Sequence, residues 1–163
     1  MDEVAIHYKT HDSEANESRY GLDTDEIRLR NRGITEIDLT SVSLLPELRV
    51  IDLVGNAIRH LNLSPLGHCT HLRSLLLERN EIESLDISPL SSLTRFDFLT
   101  LEQNKLEEIN LSPLYRIPHI NLVVTYDEDV YIILDDEILQ WEPYDFSLKI
   151  SMILREILAK YRR

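Results

Sequence analysis

Hydrophobic and polar positions follow one pattern of 24 residues that occurs three times in succession. The copies begin at Leu48, Leu72 and Phe96, and each has the form L-x-x-L-x-L-x-x-N-x-I/L, except that phenylalanine opens the third. The x-L-x-L-x centre alternates with the period of a half-buried strand. We therefore predict one short strand in each copy, and a parallel sheet joined by crossovers when the copies stack.

An asparagine follows the last core leucine of each copy, at the point where the chain turns away from the strand. These residues are Asn56, Asn80 and Asn104. A side-chain amide both donates and accepts hydrogen bonds, so it can satisfy turn backbone groups that would otherwise be buried without partners. We predict that the three asparagines form a structural ladder along the stack.

The second half of each copy predicts a short helical turn. Ser-Pro pairs recur at Ser64, Ser88 and Ser112, and serine as N-cap with proline as the first helical residue is a typical helix start. A row of acids and amides just before each turn is expected to point outward: Asp38, Asn62, Asp86 and Asn110. The interposed amides either relieve repulsion between carboxylates on adjacent coils or are simply polar surface.

The pattern weakens at both ends, as expected of terminal units that no neighbour covers. Arg32 and Glu128 stand where the asparagine belongs. One domain is predicted. Its segments are an N-terminal cap segment over 1–23, repeats over 24–47, 48–71, 72–95 and 96–119, a partial repeat over 120–131, and a C-terminal cap over 132–163.

Further secondary-structure elements are predicted in the two terminal segments. Val4–Tyr8 is predicted as a short strand and His11–Arg19 as a polar loop. Apolar residues at helical spacing predict an amphipathic helix over about 145–161, whose main stripe covers the open end of the stack. Leu148 and Met152 lie off that stripe. Either a broad cap buries them or the helix mediates dimerisation, and the sequence favours the cap and a monomer over a homodimer.

The spacing, leucines and asparagines resemble the leucine-rich repeat family from about Asp25 to Asp127, and its small intracellular members with 24-residue repeats in particular. The resemblance implies an α/β solenoid, with a curved parallel sheet on the concave face, short helical turns on the convex face and a C-terminal helical cap. It also implies a non-enzymatic protein-protein interaction module that acts as an adaptor or a regulator.

Composition narrows the classes of partner. The net charge is -12, from 29 acids and 17 bases, which argues against nucleic acid and anionic membrane and favours a protein partner with a basic or apolar surface. A single cysteine excludes an internal disulfide. No signal-peptide pattern and no apolar stretch of about 20 residues occur, so we expect a cytoplasmic protein.

No catalytic or metal-binding constellation emerges from the sequence, and no cofactor is predicted. His7 and His11 lack a third ligand, and Cys69, between His68 and His71, aligns with inward-facing residues of the other copies and is predicted to be a buried spacer. The acidic stretches at 127–129 and 135–137 lack the glycine and spacing of a calcium loop. A small enzyme or metal-binding protein is the least favoured alternative.

The exposed side of the predicted sheet is the candidate partner-binding surface, because solenoids use their concave face in this way. Its predicted residues are Arg28, Arg30, Val50, Asp52, Val54, Leu76, Glu78, Phe98, Thr100, Glu102, Leu122, Val124 and Tyr126. Apolar members form a diagonal toward the C-terminal end, bordered by glutamates, as in many partner sites. The alternatives are that strands simply favour such residues, or that a chain end covers the patch.

Overall fold

The computed structural model describes residues 3–115, 117 and 123–133. Its strands are β1 (Glu3–Thr10), β2 (Ala15–Gly21), β3 (Glu26–Arg28), β4 (Ile34–Asp38), β5 (Val50–Asp52), β6 (Ser74–Leu76), β7 (Phe98–Thr100), β8 (Glu108–Asn110), β9 (Val123–Thr125) and β10 (Tyr131–Ile133). Short 3₁₀ helices span Thr40–Leu44, Ser64–His68 and Ser88–Ser92, and one α-helical turn, α1, spans Ser112–Tyr115.

One parallel sheet runs through the repeats in the order β3-β5-β6-β7-β9. Its register places one residue of each coil in line, and these side chains are fully buried: Ile27, Ile51, Leu75 and Leu99. The prediction of one short strand per copy, stacked in parallel, is confirmed. The row that includes Cys69 is also buried as predicted: Leu45, Cys69, Leu93 and Ile117.

The asparagine ladder ties each coil to the one before it. Asn56 Nδ2 donates to the carbonyl oxygens of Leu29 and Leu53, both at 2.8 Å, and Asn56 Oδ1 accepts from the backbone N–H of Ile34 at 3.1 Å. Leu29 and Ile34 belong to the preceding coil, whereas Leu53 belongs to the asparagine's own coil. The same three kinds of contact recur in the next two coils, at Asn80 and Asn104.

Leu63 and Ile87, which precede the second and third helical turns, make no side-chain capping bond, and the turns begin at Ser64 and Ser88, one residue earlier than predicted. The acid or amide two residues earlier accepts the N–H of the first helical residue instead. These bonds are 2.8 Å from Thr40 N to Asp38 Oδ1 and 2.9 Å from Ser64 N to Asn62, Ser88 N to Asp86 and Ser112 N to Asn110. This capping role explains why the four outward positions before the helical turns contain only aspartate and asparagine.

The capping aspartates give the fold a defined dependence on pH. The hydrogen bond with the side chain of Ser88, and then that with its backbone N–H, hold the pKa of Asp86 below its ordinary value of 3.8. A lowered folded-state pKa means that this stabilisation is complete above 3.8 and is lost as the pH falls through the folded value. We expect an NMR titration of the Asp86 carboxyl to have its midpoint below 3.8.

Asp86→Asn is the matched control, because an asparagine, Asn62, caps the equivalent turn of the preceding coil. Urea unfolding should show the native chain losing stability relative to this variant as the solution is acidified. A stability difference that does not change with pH would contradict the capping assignment.

An antiparallel hairpin precedes the repeats. β1 lies between β2 and β4, and it buries Val4, Ile6 and Tyr8 in the core. The strand predicted over Val4–Tyr8 is confirmed and is longer than predicted. The loop predicted over His11–Arg19 is wrong in its second half, which forms most of β2. This strand lies at a sheet edge and faces solvent on one side, so it can consist mainly of polar residues. It therefore lacks the hydrophobic alternation from which a strand is predicted.

The last strand of the parallel sheet departs from the 24-residue spacing. Phe98 lies opposite Val123, Leu99 opposite Val124 and Thr100 opposite Thr125, an offset of 25 residues. Ile117 is still buried at the 24-residue position, so the extra residue falls between 117 and 123.

The shift corrects two predicted surface residues. A one-residue slip moves side chains to the opposite face of a strand. Val124 therefore aligns with inward-facing Leu99, and both Val124 and Tyr126 pack against the core. Leu122 lies outside the described residues.

The C-terminal side of the described chain ends in a second parallel pair, β8 with β10. The predicted helix over about 145–161 lies outside the described residues, as does the predicted C-terminal cap apart from 132–133.

Candidate functional site

The outer sheet face is defined here as the side of the five-stranded sheet that is turned away from the core. Three rows of side chains cross it. The first row is Glu26, Val50, Ser74 and Phe98. The second is Arg28, Asp52, Leu76, Thr100 and Thr125. The third is Arg30, Val54, Glu78 and Glu102. Thr125 was missed by the sequence prediction because the shift of β9 could not be anticipated from the repeat.

Phe98 is the most prominent apolar residue of the outer sheet face, with 46% of its surface exposed. The other large hydrophobic residues exposed in the described chain are Leu22, Leu44 and Tyr131, and none of them belongs to the three rows. Leu76 lies half-buried on the adjacent coil, and Val50 lies half-buried one coil further along the sheet. The described apolar patch is therefore smaller than predicted and centres on Phe98.

Two residues predicted to be exposed on this face are buried. Asp52 is 6% exposed because Arg30 Nε lies 2.9 Å from Asp52 Oδ2 and the backbone N–H of Val54 donates to Asp52 Oδ1 at 3.2 Å. Val54 is 5% exposed, since it is a small side chain between the longer Arg30 and Glu78 of the adjacent coils. Asp52 and Val54 thus organise the face and offer little surface for contact.

The C-terminal edge of the outer sheet face opens into an acidic cleft of about 650 Å³. It is lined by Glu78, Arg79, Glu102, Gln103, Tyr126, Asp127 and Glu128. Asp127 Oδ2 accepts the backbone N–H of Gln103 at 2.7 Å, and Glu102 Oε2 accepts the hydroxyl of Thr125 at 2.7 Å. These bonds fix the positions of two carboxylates without neutralising them.

Charge compensation differs between the two ends of the face. At the N-terminal end Arg28 forms an ion pair with Glu26, and Arg30 forms one with Asp52. In the acidic cleft, no carboxylate forms an ion pair with any residue that the structure describes, and Arg79 is the cleft's single cationic side chain. Among the described residues, the C-terminal end of the outer sheet face therefore carries carboxylates without ion pairs, and half-buried Leu76 lies two residues before one of them, Glu78.

The rest of the described chain offers little for bond-making chemistry. Burial raises the pKa of the Cys69 thiol to about 11, so the thiolate is scarce at neutral pH. Among residues 3–115, 117 and 123–133, no group of three or more side chains could hold a metal ion. No helix in this same part of the chain is long and apolar enough to cross a membrane.

Comparisons with known proteins agree with the repeat pattern. Residues 25–82 match the leucine rich repeat family model, which confirms the predicted resemblance over that part of the chain. No curated protein matches the chain.

Two internalins from Listeria monocytogenes are similar among solved structures. Internalin C2 is 27% identical, with a TM-score of 0.45, over 55% of this chain and 37% of its own. The internalin inlF is 22% identical, with a TM-score of 0.46, over 71% of this chain and 44% of its own. The chain thus spans less than half the length of either internalin.

Proposed function

We propose that this chain, whose residues 25–82 are leucine-rich repeats, is a non-enzymatic protein-interaction module that binds its partner on the outer sheet face. Proteins built from such repeats are typically protein-protein interaction modules. The observation that supports the proposal most strongly is the position of Phe98. This residue is 46% exposed in the first row of the outer sheet face, and half-buried Leu76 of the second row lies between it and the acidic cleft, whose Glu78 and Glu102 belong to the third row.

The partner's chemistry follows from this arrangement. An apolar side chain would cover Phe98 and Leu76, where removal of aromatic surface from water supplies binding energy. A lysine or arginine beside that anchor would enter the acidic cleft between Glu78 and Glu102. A net charge of -12 would also steer a basic partner toward the molecule and speed association.

The mechanism would be presentation of a preformed surface. Phe98 and Leu76 lie on strands held at both sides by neighbouring coils, so few side chains need to be ordered on binding. The chain would act as an adaptor or regulatory binding protein, and we expect it to do so in the cytoplasm.

Selection from a displayed peptide library tests the proposal with a defined probe. We expect the native chain to enrich peptides that combine a large apolar residue with lysine or arginine. Phe98→Ala should weaken the selected peptides at least about tenfold, since aromatic anchors dominate such interfaces. Leu44→Ala is the matched control, because Leu44 is 61% exposed but lies in a 3₁₀ helix outside the three rows. Unchanged binding by a folded Phe98→Ala variant would refute the assignment of the face.

The charge contribution is tested separately. Glu78→Gln combined with Glu102→Gln should weaken binding of basic peptides and reduce its dependence on salt. Glu83→Gln removes an exposed carboxylate outside the face and should change neither property. If the preference for basic peptides persists in the double variant, the acidic cleft has no part in recognition.

The alternative function, self-association through the predicted helix over about 145–161, concerns residues outside those described. For the remaining alternative, an enzyme or metal protein, the described histidines and cysteine supply no clustered site.

A further inference from the structure

The strand β2 forms an open edge of the N-terminal sheet. The strand order there is β2-β1-β4, and no described strand pairs with the other side of β2. Its seven residues pair with β1 without a register shift, from Glu3 opposite Gly21 to Lys9 opposite Ala15. Natural sheets usually protect such an edge with a proline, a bulge or a covering segment. β2 contains no proline and no bulge.

The described chain leaves space beside this edge. A cleft of about 600 Å³ is lined by Ser18, Arg19 and Tyr20 of β2 and, on its other side, by Glu26 and Arg28 of β3. Since β3 is itself the first strand of the five-stranded sheet, neither strand covers the other. No hydrogen bond between described residues joins β2 to β3 across this cleft, so the backbone of β2 has no described partner on that side.

The sequence of β2 is complementary to itself. If two copies of Ala15–Gly21 are laid antiparallel about Ser18, Glu17 of each copy lies opposite Arg19 of the other. Opposite charges at directly facing positions stabilise antiparallel strands, and like charges destabilise them. Both side chains are exposed. Glu17 and Arg19 form an ion pair of 2.8 Å with each other, and Glu17 Oε2 also lies 3.9 Å from His7 Nδ1 of β1.

We propose that β2 pairs with β2 of a second copy of this chain, antiparallel about a two-fold axis at Ser18. The two three-stranded sheets then join into one sheet of six strands, and both open edges disappear. Each Glu17–Arg19 pair within a strand exchanges for a pair between the two copies, so no charge loses its partner. The interface is closed and symmetric, as most homodimer interfaces are. The alternative partner for the β2 edge is a strand from a different protein.

The dimer is weak. A pair of seven-residue edges is smaller than the interfaces of stable complexes, so dimerisation appears at high micromolar to millimolar chain concentration. It does not involve the outer sheet face, and the peptide selection described above neither supports nor refutes it.

Sedimentation equilibrium of the full chain over a wide concentration range, with charge reversals, tests the proposal. We expect a reversible monomer–dimer equilibrium for the native chain. Glu17→Arg and Arg19→Glu should each weaken dimerisation about tenfold or more, because each reversal creates two like-charge pairs. The double variant should recover native dimerisation, and an equimolar mixture of the two single variants should form a heterodimer.

Glu47→Arg and Arg49→Glu are the matched controls, because Glu47 and Arg49 form an exposed ion pair with the same sequence spacing outside the β2 edge. These controls should dimerise like the native chain, and unchanged thermal unfolding should verify that all variants fold. A native chain that remains monomeric at every concentration overturns the proposal and leaves the edge to a different protein. Dimerisation that the double variant fails to recover also overturns it, because the two copies then meet elsewhere.

Discussion

Replacing Phe96 with alanine is expected to lower the free energy of unfolding by about 3–5 kcal/mol. The Phe96 side chain is fully buried and is among the largest fully buried side chains of the described core. It opens the third copy of the repeat, at the position that leucine occupies in the first two. Truncation would leave a cavity between coils whose backbones are held together by sheet hydrogen bonds, so the surroundings can collapse only partly. Denaturant unfolding monitored by circular dichroism measures the loss.

Phe98→Ala is the natural control for this experiment, because the same chemical change is made two residues away. Phe98 is 46% exposed, so its truncation should cost less than about 1 kcal/mol. Phe96→Leu, which restores the residue type of the other copies, should cost less than Phe96→Ala. Equal losses for Phe96→Ala and Phe98→Ala would show that the two phenylalanines are not divided between core and surface.

Asn80→Ala is expected to cost about 3 kcal/mol, near the upper end of what a buried polar group left without a partner costs. Three backbone groups lose a hydrogen bond at once. They are the N–H of Ile58, at 3.2 Å from Asn80 Oδ1, and the carbonyl oxygens of Leu53 and Leu77, both at 3.0 Å from Nδ2. The two carbonyl oxygens each keep a second bond, from Nδ2 of Asn56 and of Asn104 respectively. Since Leu53 and Ile58 belong to the preceding coil, the substitution should also loosen the junction between coils. Urea unfolding measures the total cost, and hydrogen exchange at Ile58 reports the junction.

Asn62→Ala is the control for the asparagine ladder. Asn62 is exposed and accepts a single described bond, from the N–H of Ser64, so its loss should cost only about 1 kcal/mol. If Asn62→Ala and Asn80→Ala destabilise the chain equally, the ladder has no special structural role.

The sequence predicted the repeated part of the fold well because the relevant interactions recur. Leu75 and Leu99 alternate with polar residues, and the same offset of 24 residues aligns them in the sheet. Asn56 and Asn80 follow their strands at a constant distance, so one physical argument about turn backbone applies to every coil. Of the predicted face, Phe98 and Leu76 were placed correctly for the same reason.

The errors fall where a residue's environment depends on segments without this periodicity. The polar β2 strand could not be recognised from its own sequence, because its partner β1 and its position at an edge determine its structure. For the same reason the sequence did not suggest the pairing of β2 that we propose. Asp52 looked exposed from its register, but Arg30 and the backbone of Val54 enclose its carboxylate.

By itself, the sequence determined the 24-residue coil, the inward leucines, the asparagine ladder and an acidic chain, since each is a property of residue type and local spacing. Only the tertiary structure decided which side chains of the last strand face outward. One extra residue between 117 and 123 turns Val124 and Tyr126 toward the core and brings Thr125 to the surface. Tertiary contacts also decided that Asp38 and Asp86 cap helical turns, and that the carboxylates of the acidic cleft lie together without an ion pair to any described residue, although Arg79 lines the same cleft. Each of these outcomes depends on where distant segments meet, and a repeat pattern constrains that only within the repeats.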